Sequence, residues 1–361
     1  MAALPDSRST PEQRIREELV ELRTIDADRL TPLLDEEIAA WRAELDWDFR
    51  ASADLVRRFI HMQALGGYAL VSKTPKGPRV IGYSYYVCEE GKGLIGDLYV
   101  MRERPAHVQD QQIQPGQIHS KQTPSSRLEH ALIEAVLGAI WRMPGVKRVE
   151  AQPMMLGSAL DCTALGSAPS SRPGHGRPQS YPRKFLATTL GSCAKLPARP
   201  PSGAIITGWT ESMQDHTARL ISAAYQGHID SRINDQYRSP SGARRFLTNI
   251  VQYPGCGTFF KPASFAAVDV ATRQLRGISL ASMVASDCGH ITQICVAKAE
   301  QGTGLGYELM RQSMVALKAH GCRAVSLTVT ASNEAAIRLY QRLGFSSRRD
   351  FAAYVWDPRE S

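Results

Sequence analysis

Apolar and polar positions along the chain mark out a series of elements that occurs twice. In the first half, VELRTI (20–25) reads as a strand. Apolar positions three and four apart then predict a helix over RLTPLLDEEIAAWRAEL (29–45), with Asp28 placed to cap it, and a second over SADLVRRFIHMQAL (52–65). Three β-rich runs follow, GYALVSK (67–73), RVIGYSYYVCEEG (79–91) and GLIGDLYV (93–100), parted by short turns. The second half offers the same order: AIITGW (204–209), helices around DHTARLISAAY and GARRFLTNIVQY, then SFAAVDVA, RGISLASMVAS and HITQICV.

Spacing supports two diverged copies of one unit. Gly82 to Val100 is 18 positions and Gly277 to Val296 is 19, with Ser84 matching Ser279 and Leu98 matching Ile294. One inserted turn residue accounts for the difference. The halves part company after the last of these strands. ICVAKAEQGTGLG leads straight into the helix YELMRQSMVALKAH, ended by Gly321, and the strand AVSLTV. In the first half a polar loop (101–125) with a single glycine, Gly116, precedes the helix RLEHALIEAVLGAIW. A Pro/Gly/Ser-rich stretch (165–182) and KLPARPPSG (195–203) read as loop and linker. The expected division is a first domain over 1–193, a linker over 194–202 and a second domain over 203–361.

Composition narrows the class. A chain of 361 residues with 43% hydrophobic residues suits two globular domains, and no run approaches the ~18 apolar residues that span a bilayer. The start has no apolar core behind a basic leader, so a cytoplasmic protein with no membrane partner is expected. Seven cysteines form no CxxC pair, which points to reduced thiols and no metal site. The net charge is +8, and six of the eight surplus charges, Arg172, Arg177, Arg183, Lys184, Lys195 and Arg199, lie between Cys162 and Thr210 with no acidic residue among them. That block reads as a solvated basic connector. With no recognition helix or aromatic platform beside it, no nucleic-acid partner is expected.

The chemistry concentrates in EQGTGLGYELM (300–310), where Gly302, Gly304 and Gly306 stand between a strand and a helix. Bare backbone N–H groups and the positive helix N-terminus converge there on an anion, and a pyrophosphate is the natural guest. The dinucleotide fingerprint fails at Tyr307 and for want of a downstream acidic residue; a P-loop fails for want of lysine. QGTGLG does meet [RQ]-x-x-G-x-[GA]. A second stretch, SNEAAIRLYQRLGF (332–345), carries N-x-x-A-x-x-L-Y-x-x-x-G-F from Asn333.

Together these motifs resemble the GNAT superfamily of acyl-CoA N-acyltransferases over about 203–361, and the internal repeat makes the first half look like a degenerate copy. The resemblance implies an α/β (α+β) fold of two tandem GNAT-like domains, each a mixed, mostly antiparallel twisted sheet flanked by helices. It implies a wedge between the strands on either side of the glycine-turn helix, with acetyl-CoA as cosubstrate. The backbone of Ile294, Cys295 and Val296 would pair with the pantetheine arm. Gln301, Gly302, Thr303, Gly304, Leu305 and Gly306 would cradle the pyrophosphate, and Asn333 would bind pantetheine or cap its helix. Family loops often carry Pro where this chain has Lys298 and a basic residue where it has Gln301; Lys298 is the candidate to restore that charge.

Such a site would acetylate a small-molecule or peptide amine. Tyr340 is the implied general acid for the departing thiolate, with core packing as its other reading. Many relatives place a carboxylate where this chain has Gln293, so the base is open among His290, Asp287, Glu211 and a water chain, with His290 the candidate entered on intrinsic pKa. Asp97 holds the aligned position in the first half, where a structural role is expected. The rival to an enzyme is a non-catalytic acyl-CoA-binding or regulatory module. Oligomeric state and acceptor identity have no sequence signature here.

Overall fold

The computed structural model describes residues 17–75, 77–102, 124–156, 177–253 and 255–357. The polar loop and most of the Pro/Gly/Ser-rich stretch read from the sequence lie outside them. The first half runs β1 (Glu17–Glu21), α1 (Thr31–Leu45), α2 (Arg50–His61), β2 (Gly66–Thr74), β3 (Gly77–Glu89), β4 (Lys92–Val100), α3 (Pro124–Arg142), β5 (Arg148–Ala151) and β6 (Gln179–Thr189). The second runs β7 (Ala204–Gly208), α4 (Gln214–Ala224), α5 (Asp230–Ile233), α6 (Pro240–Gln252), β8 (Thr258–Phe259), β9 (Phe265–Asp269), β10 (Leu275–Ala285), β11 (Cys288–Val296), α7 (Leu305–Ala319), β12 (Ala324–Thr330), α8 (Glu334–Arg342) and β13 (Ser346–Trp356). No helix among the described residues is long and apolar enough to cross a membrane.

Two local expectations change at the first strand and helix. The strand ends at Glu21, and Leu22 and Ile25, both buried, face one core because Ile25 N–H closes a tight turn onto the Leu22 carbonyl at 3.2 Å. Asp28 does not cap α1, which starts later with no side-chain cap and Pro32 in its first turn; Asp26 instead caps the 3-10 turn at 27–30 that leads into it, its carboxylate accepting the Asp28 N–H at 3.1 Å. The helix then buries Leu33, Leu34, Glu37, Trp41 and Leu45, a stripe at helical spacing.

The repeat is present in backbone register. Gly82 pairs with Val100 and Ser84 with Leu98; Gly277 pairs with Val296 and Ser279 with Ile294. Both hairpins carry a bulge four residues before that last valine, at Gly96 and at Thr292. The extra residue of the second half lies not in the turn but in a second bulge at Val284. Its carbonyl accepts the Asp48 N–H at 2.7 Å, so the bulge serves a contact with the first half.

The strands form one sheet in the order β1-β2-β3-β4-β5-β13-β6-β12-β11-β10-β9-β7, with β8 beside β10. Among the described residues, only the strand pairs β4–β5 and β11–β12 run parallel. The order is symmetric about the β13–β6 pair: each half sends its last strand across. β6 lies against β12 of the second half, while β13, which ends the described chain, lies against β5 of the first. The change of repeat near residue 194 is therefore a boundary along the sequence and not in space. Helix α1 and its neighbours pack Trp41, Trp47 and Phe49 in a core shared with Phe185, Val284, Cys288 and Ala324.

In the first half, Asp97 and Glu37 share a buried site. Tyr83 Oη donates to Glu37 at 2.9 Å, and Trp41 Nε1 donates to its other oxygen at 3.2 Å. Asp97 accepts the Leu98 N–H at 2.8 Å. Burial pushes the Asp97 carboxyl up to about 6, and burial and then the Asp97 charge raise Glu37. An unfolded Asp titrates near ~3.9. The folded state therefore binds the extra proton between the two values, and stability falls as pH rises through that window. Asp97→Asn keeps an acceptor for Leu98 and removes the charge. It should raise stability at pH 8 by about 2 kcal/mol, with little gain at pH 4, as read by urea unfolding. A less stable variant at pH 8 would contradict this account of the pair.

Candidate active site

Strands β11 and β12 pair from Cys288 opposite Ala324 to Ile291 opposite Leu327, and then part. The Thr292 bulge is the local cause: it bends β11 where its hydroxyl donates to the Leu280 carbonyl at 3.1 Å, while β12 stays bonded to β6 up to Thr330. Into the gap opens a cavity of ≈ 1000 Å³. Its walls include Gln293, Ile294, Cys295, Val296, Gln301, Gly302, Gly304, Gly306, Asn333 and Tyr340, which the sequence had placed at one site. Thr303 and Leu305 build the turn instead. The Thr303 hydroxyl donates to the Glu300 carbonyl at 2.9 Å, and Leu305 is buried under the sheet beside Ala267 and Leu309.

The turn needs two of its glycines for conformation. Gly302 has φ +82° and Gly304 φ +95°, both left-handed, and Gly304 is the residue from which α7 starts. Gly306 differs. Its backbone is helical, and a Cβ there would meet only Leu339 at 3.6 Å and Val296 at 3.8 Å, which are ordinary contacts. The fold tolerates a side chain at 306, yet the position faces the cavity. The N–H groups of Gly306 and Tyr307 lie in the first turn of α7 and have no upstream helical carbonyl.

The cavity wall near the turn carries a cation other than the one expected. Lys298 Nζ donates to the Gln226 carbonyl at 3.4 Å and is not in the cavity wall. Arg199, in the segment read as a solvated connector, is. Its N–H donates to Glu308 at 2.8 Å, its guanidinium lies 4.7 Å from the Tyr307 ring centroid, and its Cδ would sit 3.8 Å from a Cβ at Gly304. Arg338 and Arg342 also line the cavity.

At the other end, Tyr340 is buried, its ring centroid 6.0 Å from that of Phe345. Burial, and then the Asp230 charge, raise its pKa, so the phenol stays protonated and can only donate a proton at neutral pH. Asn333 caps α8: its side-chain oxygen accepts the Ala336 N–H at 3.2 Å, and its amide nitrogen lies 3.3 Å from His228 Nε2. Gln293 is clamped between two stacked tyrosines, accepting from Tyr237 Oη at 3.2 Å and donating to Tyr225 Oη at 3.1 Å.

The base candidates fare differently. His290 reaches the cavity wall, but its Nδ1 is bonded to Ser326 Oγ at 2.9 Å, and its ring packs edge-on to Trp47 and against Phe185. Burial pushes its pKa down to about 3, so the ring is a neutral packing group and a poor proton acceptor. Asp287 is at the β10–β11 hairpin tip, where Arg323 at 2.7 Å and Arg42 at 3.1 Å hold its carboxyl below the usual range. Glu211 is an exposed residue 3.5 Å from Lys261. Neither lines the cavity.

Two groups absent from the sequence reading do line it: His228 and Asp230, on the turn into α5. The Asp230 N–H donates to His228 Nδ1 at 3.2 Å, one Asp230 oxygen is 3.7 Å from that nitrogen, and the other accepts from Thr330 Oγ1. The His-x-Asp spacing after Tyr225, just past α4, was the available signal; nothing local shows that the segment turns toward β12. Among the described residues, no three His, Cys, Asp or Glu side chains converge as a metal site.

Residues 232–345 match the model of the acetyltransferase (GNAT) family. A stretch of 58 residues is 47% identical to the mycothiol acetyltransferase of Streptosporangium roseum, covering 16% of this chain and 17% of that protein. Another of 57 residues is 39% identical to the N-alpha-acetyltransferase MAK3 of Arabidopsis thaliana, covering 16% and 30%. These matches thus span under a third of either relative. Among solved structures, a GCN5-related N-acetyltransferase from Sphaerobacter thermophilus aligns over 97% of both chains with a TM-score of 0.60 at 18% identity. A tandem GNAT protein from the clavulanic acid biosynthesis pathway covers 95% of this chain and 99% of its own, with a TM-score of 0.58 at 18% identity. Residues 232–345 therefore carry the match to the GNAT family, within a whole that has the tandem GNAT fold.

Proposed function

We propose that the β11–β12 cavity binds acetyl-CoA and transfers its acetyl group to an amine. The observation that carries this reading is the convergence, on one cavity, of an unpaired strand edge, a helix N-terminus bared by glycine, and a buried protonated phenol. Relatives named acetyltransferases support it. The free edge of Ile294, Cys295 and Val296 offers amides and carbonyls to the pantetheine arm, as an added strand would find them. The N–H groups of the three glycines, Gly302, Gly304 and Gly306, and the Arg199 guanidinium suit the phosphates, while those of Gln301, Thr303 and Leu305 bond within the turn itself. Acetyl-CoA supplies an activated thioester.

The amine attacks the acetyl carbonyl, the new C–N bond replaces the C–S bond, the amine loses a proton and the sulfur gains one. Tyr340 gives the sulfur its proton. His228 and Asp230 replace His290 as the groups in the wall able to receive the amine's proton. A non-catalytic acyl-CoA-binding module is the second reading, favoured by Gln293, whose amide is tied between two tyrosines at the position where a carboxylate would serve. Acetyl-CoA binding without thiol release on any amine would establish it.

Gly306→Val tests the cradle. Because the fold has room at that position, the melting temperature should change little. Affinity for acetyl-CoA in calorimetry should fall about tenfold or more, the loss of roughly one charge-assisted hydrogen bond or its equivalent in sterics. Unchanged affinity would show that the phosphates lie elsewhere.

A further inference from the structure

Two opposite charges line the cavity from different halves of the chain and rest on one face of β12. Leu327 and Val329 face the core beneath α7, so Thr328 and Thr330 face the other way. Arg183, on the exchanged strand β6, donates from Nη2 to Thr328 Oγ1 at 3.3 Å. Thr330 Oγ1 donates to Asp230. Two residues along a strand separate these anchors by about 7 Å. Both side chains line the cavity, and Tyr237 there feels both: burial and then Asp230 raise its pKa, and Arg183 opposes them.

Neither charge is neutralised as its neighbours are. Lys184, next to Arg183, pairs with Asp350 at 3.0 Å. Among the described residues Arg183 has no carboxylate partner, and its Nε is buried without a hydrogen-bond acceptor. The guanidinium is nonetheless held, its Cζ 6.0 Å from the Phe351 ring centroid. Asp230 has an ion-pair neighbour among the described residues only in His228 at 3.7 Å.

We infer that the acceptor is an amino carboxylate of the α-amino-acid type, its amine lodged toward Asp230 and its carboxylate on the fork of Arg183. This rests on the acetyl-transfer reading. An α-amino acid with a charge-assisted hydrogen bond of about 2.8 Å at each end has a reach of the order of the interval between the two anchors. A diamine would set a like charge against Arg183, and a plain amine would leave the buried Nε without an acceptor. Arg183 is thus a specificity residue, supplied to the second half's site by the first half's last strand.

The test measures thiol release from acetyl-CoA with the common α-amino acids, their carboxamides and their decarboxylated amines. At least one amino acid should be used with a kcat/KM about 100-fold above its amide and amine. Arg183→Gln should raise KM for that amino acid about 100-fold with little change in kcat, and abolish the preference. Arg183→Lys should recover part of it. Acetyl-CoA affinity and melting temperature control for folding and should be unchanged. Amides or amines used as well as the amino acid, or a preference that survives Arg183→Gln, would overturn the inference while leaving acetyl transfer standing. No release with any class, with acetyl-CoA bound, would overturn both.

Discussion

Tyr340→Phe should lower turnover by about 10²- to 10⁴-fold, the usual contribution of a positioned general acid, and leave acetyl-CoA affinity nearly unchanged. The phenyl ring keeps its packing in the core that holds Leu343, Phe345 and Leu327, so the fold should survive. What the variant lacks is the proton. In the wild type, burial and the nearby Asp230 charge keep that proton on the phenol above its ordinary range. The alkaline limb of the pH profile set by this acid should therefore lie above the ~10 of a free tyrosine, and turnover should not decline through its loss between pH 6 and 9. Thiol release gives kcat and calorimetry gives affinity. A variant turning over within about threefold of wild type would make Tyr340 a core aromatic only, with solvent supplying the proton, since even the low end of the general-acid contribution is about thirtyfold larger.

The site was legible where a local pattern dictates backbone. The spacing of Gly277 to Val296 against Gly82 to Val100 gave the repeat, which the strand pairing of both hairpins carries, and capping chemistry gave Asn333. Elements whose meaning depends on a distant partner were not legible. β6 and β13 carry the same half-buried pattern wherever they pair, so nothing in either run reveals the exchange. Arg183 and Arg199 were hidden in a basic block that would be solvated if the connector were free, and both became cavity walls once β6 was carried to β12. His290 failed for the same reason. Its intrinsic pKa suits a base, but Trp47 and Phe185 close over it from the other half.

Arg148→Met should cost about 3–5 kcal/mol, the penalty for breaking a buried charge network by removing one partner. Arg148 is 2% exposed, on β5 of the first half. Its Nε bonds Glu150 at 2.7 Å and its Nη1 bonds Asp357 at 2.8 Å, just past β13. Its Nη2 reaches the carbonyls of Arg232 and, at 3.4 Å, Ile233, where α5 ends. One guanidinium therefore joins the first half's sheet, the exchanged terminal strand and the short helix that carries Asp230. Methionine fills similar volume but leaves Glu150 buried with Lys92 at 3.4 Å as its remaining cation, and leaves the helix-end carbonyls without that donor. Against a typical total of 5–15 kcal/mol, such a loss should show as a large fall in the urea midpoint. Because α5 is tethered by the same group, acceptor KM should rise in whatever fraction stays folded, with acetyl-CoA affinity affected less. A loss below about 1 kcal/mol, the worth of an exposed pair, would mean that the exchanged strands hold the halves together without this network.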